Sequence, residues 1–290
     1  MKDGDIGMNG RMQFVLVLLL AGMSFFAGYG FGKQENVPKA DQETAGKQQE
    51  AHGHGNDRGS AVSMTTDAVW SAENAKAGEN ATLRIHIQDE EGKPVENFDI
   101  NHEKLLHLIV VSKDLSYFDH IHPEYKGGGD FEITTSFPAG GEYKLIADYV
   151  PAGGSTTTQT EWIKVEGTSV DAVPLQPDRH HSKIVDGLQV TLQNDHPRAG
   201  QDFELNFLLE DANTKEPVTD LEPYLGAVGH VVILSEDTED YLHVHPVDEK
   251  AKGPEARFVT NFPNKGIYKI WAQFQRDGKL ITVPFVVEVE

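Results

Sequence analysis

The chain of 290 residues has no cysteine. That excludes disulfides, zinc–thiolate sites, iron–sulfur clusters, cysteine nucleophiles and the thiolate type of copper electron-transfer centre. Basic residues are scarce: 25 Lys and Arg stand against 46 Asp and Glu, a formal net charge of −21. Nucleic acid calls for a concentrated positive surface, so it is excluded as a partner, and docking on anionic lipid headgroups goes with it. There are only five methionines, so a bound metal would have to be held mainly by histidine or carboxylate. After Ser60 no stretch has the 3.6-residue period of a long amphipathic helix.

The N-terminus holds the one long uncharged segment. Residues 12–32 carry no charge and include the apolar run Phe14–Leu20; as a helix they span about 30 Å, close to a bilayer's hydrocarbon core. No Ala-x-Ala site lies in or just after that run. The expectation is therefore an uncleaved transmembrane signal anchor behind a short tail (1–11), with the C-terminal bulk extracytoplasmic; cleavage would make that bulk secreted. Residues 33–60 are polar, with almost nothing to bury, and read as a disordered tether carrying a His52-Gly-His54 tract.

From about Val62 short alternating runs are separated by Gly, Pro and Asn. Leu83–Ile87, Phe131–Phe137, Tyr143–Tyr149 and Glu161–Val165 read as strands, and the nearly continuous apolar run Leu105–Val111 as a central strand covered on both faces. The pattern then recurs. Ala77-Gly78 matches Ala199-Gly200, Phe137-Pro138 matches Phe262-Pro263, and Gly141-Glu-Tyr-Lys matches Gly266-Ile-Tyr-Lys. The offset grows only from 122 residues (Ala77 to Ala199) to 125 (Phe137 to Phe262), as a duplicated domain requires. About seven strands per copy predict an all-β protein of two tandem β-sandwich domains, 61–166 and 181–290, joined by a linker at 167–180.

Each copy contains the same block. His107, four apolar residues, Ser112, Asp114 and His120-Ile-His122-Pro123 are matched by His230, four apolar residues, Ser235, Asp237 and His243-Val-His245-Pro246. With turns at 113–116 and 236–239, hairpin pairing sets His107 opposite His122 and His230 opposite His245. Opposed Cβ atoms lie about 5 Å apart and diagonal ones about 7 Å; alternation puts His120 and His243 on the same faces. Each copy thus predicts three converging imidazoles at a sandwich rim, a triangle that fits a metal about 2.0 Å from each nitrogen. Neutral imidazoles favour Cu(II), Zn(II) or Ni(II), with Cu(II) the tightest, and binding should weaken as pH falls below about 6.5. Asp114 and Asp237 are expected to be turn residues, and Asp119 to point to the other face. His86, His102, His180, His181 and His196 are expected outside the site.

The His-(apolar)4-Ser…His-x-His-Pro block, with the following Phe-Pro…Gly-x-Tyr-Lys segment, resembles the YtkA-like or FixH-like group of secreted domains. The likeness covers both repeats. It implies immunoglobulin-like or cupredoxin-like β-sandwiches outside the membrane, near metal-transport or respiratory-oxidase assembly systems, with His107, His120, His122, His230, His243 and His245 as ligands. The chain lacks the Met-rich segment of Cu(I)-handling relatives. The expected function is copper buffering, sensing or delivery, zinc being the other candidate ion, with a membrane transporter or oxidase-assembly protein as partner. No acid–base residue recurs beside both triads, so no catalysis is expected. The rival expectation is an adhesive or scaffolding immunoglobulin-like pair with structural histidines and no metal. Protease treatment of intact cells should remove the folded domains; if they survive untouched, the extracytoplasmic assignment fails.

Overall fold

A computed structural model describes residues 65–194 and 196–290. The expected anchor (12–32), tether (33–60), His52 and His54 lie outside the described residues. Among the described residues there is no helix, and hence none long and apolar enough to cross a membrane.

The first repeat runs β1 (Thr66–Glu73), β2 (Asn80–Asp89), β3 (Phe98–Asp99), β4 (Leu106–Ser112), β5 (Phe118–Ile121), β6 (Glu124–Gly127), β7 (Asp130–Ser136), β8 (Gly141–Pro151) and β9 (Thr157–Val165). The second runs β10 (Ser182–Val185), β11 (Leu188–Leu192), β12 (Asp202–Asp211), β13 (His230–Ser235), β14 (Tyr241–Val244), β15 (Glu255–Asn261), β16 (Gly266–Arg276) and β17 (Lys279–Val289). The sequence suggested about seven strands per copy; the additional ones are pieces of four residues or fewer, such as β3, β6 and β10, too short to show a period. In the first repeat one sheet has the order β1-β2-β7-β6, and β3-β8-β4-β5 with β9 on β8 forms the other. In the second the orders are β10-β11-β12-β15 and β14-β13-β16-β17. All their pairings are antiparallel.

Each sandwich closes over its own core. In the first, Leu83, Ile85 and Ile87 of β2 meet Leu106, Leu108 and Val110 of β4 and Leu145 and Ala147 of β8. In the second, Leu205, Phe207 and Leu209 of β12 meet Val231 and Ile233 of β13 and Ile270, Ala272 and Phe274 of β16. With a period of two, the intervening residues of β4, β8, β13 and β16 point away from these cores. Where the repeats meet they are not exposed. Ile109, Val111, Leu115 and Ile146 of the first repeat pack against Val232, Leu234 and Trp271 of the second, forming a third apolar cluster between the repeats. The Phe118 and Trp271 rings stack across it at 4.6 Å. This accounts for the unbroken apolar run at Leu105–Val111: both faces of β4 are covered, one by its own sandwich and one by the other repeat. Leu175 of the linker packs on the same cluster.

Reciprocal polar bonds border that cluster. Lys144 donates to the Thr238 carbonyl at 2.7 Å and Lys269 to the Leu115 carbonyl at 2.7 Å. Leu115 and Thr238 are equivalent turn residues, both left-handed, with φ of 57° and 65°. A non-glycine residue holds that conformation only where its surroundings fix it. Here each turn presents its carbonyl to the other repeat's lysine. Trp271→Ala, which empties the centre of the cluster, should lower stability by about 3–5 kcal/mol. Urea unfolding measures this; a loss below about 1 kcal/mol would show that the repeats do not depend on the contact.

Candidate metal centre

The ladder between β4 and β5 pairs Leu108 with Ile121 and Ile109 with His120. One step further out, the same register sets His107 beside His122. Between β13 and β14, Val231 pairs with Val244 and Val232 with His243, which sets His230 beside His245 in the same way. Asp114 and Asp237 are turn residues. Asp114 accepts from Ser112 and Ser116, and Asp237 from the Ser235 hydroxyl and the Glu239 amide. Asp119 lies opposite Val110 and accepts from Tyr117, away from the histidines. His86 pairs with Asp130 at 2.7 Å.

Three histidines of the first repeat come together: ligand atoms of His107, His120 and His122 all lie within 4.8 Å of one another. Their ring centroids are 5.2, 5.0 and 4.9 Å apart. Imidazoles arranged tetrahedrally around an ion, with nitrogens at about 2.0 Å, have centroids about 5 Å apart.

Hydrogen bonds hold two of these rings from behind. His107 Nε2–H donates to the Asn101 carbonyl at 2.9 Å, leaving Nδ1 as a lone pair. His120 Nδ1 is hydrogen-bonded to the Gln273 side-chain amide at 2.8 Å, and that amide is in turn bonded to the Thr282 hydroxyl. His120 Nε2 stands 3.0 Å from His107 Nδ1. Two ring nitrogens at that distance are joined by a shared proton or by a cation. The third nitrogen, His122 Nε2, is buried without a protein partner among the described residues. Residues that orient a ligating imidazole through its other nitrogen are a regular part of metal sites; Asn101 and Gln273 stand in that relation to His107 and His120.

The sequence placed each triad at a sandwich rim, one in each repeat. The structure buries their inner members where the repeats meet: His107 and His230 are both 0% exposed. The two triads also approach each other, with His107 and His243 centroids 5.4 Å apart and those of His120 and His230 6.0 Å apart. His243 Nδ1–H donates to Asp148 Oδ2 of the other repeat at 2.8 Å, and its Nε2 is buried without a partner. Both ring nitrogens of His230 are likewise buried and unpartnered among the described residues. Asp148 and Gln273 are equivalent positions, facing His107 across β8 and His230 across β16. Each therefore supports the second histidine of the opposite repeat.

Sequence reasoning missed three members of this cluster. His102, expected outside the site, has its ring 4.8 Å from that of His230 and 4.2 Å from that of His245. Its counterpart in the second repeat is Leu225, so a search for repeated histidines passes over it. Asp148 and Gln273 also differ between the copies. Their signal was a single polar side chain in each otherwise apolar stretch, Leu145–Tyr149 and Ile270–Phe274.

A family model described as "Domain of unknown function (DUF8832)" matches residues 61–167 and 183–290. No curated protein matches the chain. Among solved structures, domains 4 and 5 of the S-layer protein SbsC are 13% identical, over 79% of this chain and 99% of that one, at a TM-score of 0.25. A two-domain fibronectin type III segment from chicken tenascin is 13% identical over 77% and 99%, at 0.21. A DUF3823 family protein from Bacteroides uniformis is 14% identical over 69% and 94%, at 0.23. At these TM-scores the three similarities bear on neither the site nor its use.

Burial holds six of these histidines neutral. It lowers the pKa values of His107, His122 and His245 from 6.5 to about 4, 3 and 4, and lowers those of His102, His120 and His230 as well. Below about pH 6.5 the unfolded chain then binds more protons than the folded one, so stability rises with pH across that range. The metal-free protein should be fully stable above about pH 6.5 and lose stability progressively as pH falls through the folded values near 4. Melting curves followed by circular dichroism between pH 7.5 and 4.5 provide the check, and a flat melting temperature would contradict it.

Proposed function

We propose, of a chain that belongs to the DUF8832 family and carries this domain of unknown function twice, that it binds a divalent metal ion through His107, His120 and His122. The observation that carries this reading is the convergence of three imidazoles whose ligand atoms all lie within 4.8 Å of one another, with His107 Nδ1 and His120 Nε2 3.0 Å apart. An ion about 2.0 Å from both would subtend an angle of about 100°, within the range of tetrahedral and square-planar centres. An all-imidazole, thiolate-free donor set ranks Cu(II) first and Zn(II) next. The resemblance to YtkA-like and FixH-like domains agrees with copper.

His230, His243 and His245 are proposed to hold a second ion. The role that fits is buffering, sensing or delivery of the ion, and not catalysis, with a membrane transporter or oxidase-assembly protein as recipient. Attachment to the outer face of a membrane through residues 12–32 belongs to the proposal and rests on the sequence alone. The rival reading makes the histidines structural, and one observation favours it: His120 to Gln273 and His243 to Asp148 are themselves bonds between the repeats.

Titration calorimetry and thermal melting with Cu(II) and Zn(II) separate the two. Metal binding to the folded state raises the melting temperature by mass action, by about 2.7 kcal/mol of stability at a free concentration 100 times Kd. His122→Ala, at a half-buried position outside the inter-repeat bonds, should weaken Cu(II) binding at least tenfold while the protein stays folded. Unchanged binding, or no effect of either metal on melting, would leave the structural reading standing.

A further inference from the structure

The cluster contains seven histidines, and they divide unevenly. The first triad is complete within its own repeat. The second is joined by a ring from the other side: His102 stands at centroid distances of 4.8, 6.0 and 4.2 Å from His230, His243 and His245. His243 lies 5.4 Å from His230 and 5.1 Å from His245. Four imidazoles on one ion have centroids about 5 Å apart; these run from 4.2 to 6.0 Å, and their ligand atoms, unlike those of the first triad, do not all lie within 4.8 Å of one another, so the rings have to turn to close on an ion. We propose that the second ion site is shared between the repeats, with His230, His243 and His245 from one and His102 from the other as ligands, and Asp148 as the positioning residue for His243. The inference rests on the metal-binding reading and deepens it.

Three further observations support a shared site. His230 is 0% exposed, yet neither of its ring nitrogens has a partner among the described residues. A buried imidazole in that condition calls for a ligand on at least one nitrogen. His243 is already held through Nδ1 by a carboxylate, and its buried Nε2 is left free. This is the arrangement by which a carboxylate orients a ligating histidine and raises its basicity. The loop carrying His102 is also tightly constrained. His102 and Glu103 are consecutive left-handed residues, with φ of 44° and 65°, between the bridged pair Asn101 and Lys104. Its counterpart, closed by Tyr224 and Ala227, lies against it: a Cβ added to Gly226 would sit 3.5 Å from Glu103 Oε1. The two loops thus buttress each other, and His102 is held over the second repeat. The planes of His102 and His245 are 16° apart, so one ring must turn for both to meet a single ion. His245 is the exposed one.

Leu225 stands at the position equivalent to His102, so the first site gains no fourth imidazole from the second repeat. The chain would therefore hold one three-ligand ion with an open position and one four-ligand ion without. In metal proteins generally, closed sites serve structure and open ones exchange or react. The closed ion would clamp the repeats together, and the open one would be the exchangeable cargo.

The test is stoichiometry on the full-length chain, by metal analysis and calorimetry with Cu(II). The variant is His102→Asn, which removes the imidazole but tolerates the left-handed conformation; circular dichroism verifies its fold. The wild type should bind two ions. His102→Asn should weaken one of them at least tenfold and leave the other unchanged, while His122→Ala should do the converse. Two ions at wild-type affinity in His102→Asn would overturn the shared site, as would a single ion in the wild type. No bound ion in the wild type would overturn the metal-binding reading as well.

Discussion

Everything in this molecule follows from two sheets packed on each other by the faces their own sandwiches leave free. An antiparallel sheet commonly keeps one face in water. Here β4 with β8 in one repeat and β13 with β16 in the other are covered on both sides. Burial of Ile109, Val111, Val232, Leu234 and Trp271 supplies the attraction. The polar residues that share this face have to be satisfied inside it. At one end each lysine finds the other repeat's turn carbonyl. At the other end the histidines do so only in part.

That partial satisfaction separates the cluster from an ordinary polar core. A buried network with every member bonded rigidifies a fold, while an orphaned member costs free energy, about 1–3 kcal/mol each. Among the described residues the unpartnered buried nitrogens include those of His122, His230 and His243, concentrated in one place. The same burial keeps His122 and His230 unprotonated, so their lone pairs are available at neutral pH.

Much of this could be read from the chain. The duplication was plain in the matched segments, and hairpin arithmetic gave the strand register that the Leu108–Ile121 and Val231–Val244 pairs display. The turn role of Asp114 and Asp237 followed from their place between strands. The run Leu105–Val111 announced a strand covered on both faces. Nothing in it said what would cover the second face, because apolar alternation records burial and not the identity of the neighbour. The site's full membership was hidden for the same reason. His102, Asp148 and Gln273 enter it only through contacts between the repeats, and none of the three is the same residue in both copies.

Asp148 and Gln273 hold equivalent stations behind His243 and His120, and one is a carboxylate where the other is an amide. Two identical subunits meeting about a twofold axis could not do this, since any residue placed behind one histidine would appear behind its mate. They would bring either two buried carboxylates into one cluster or none. Joining the copies in a single chain removes that restriction. One negative charge can be set beside one half of a nearly symmetric nest of imidazoles, giving its two ends different electrostatic character from the same backbone plan.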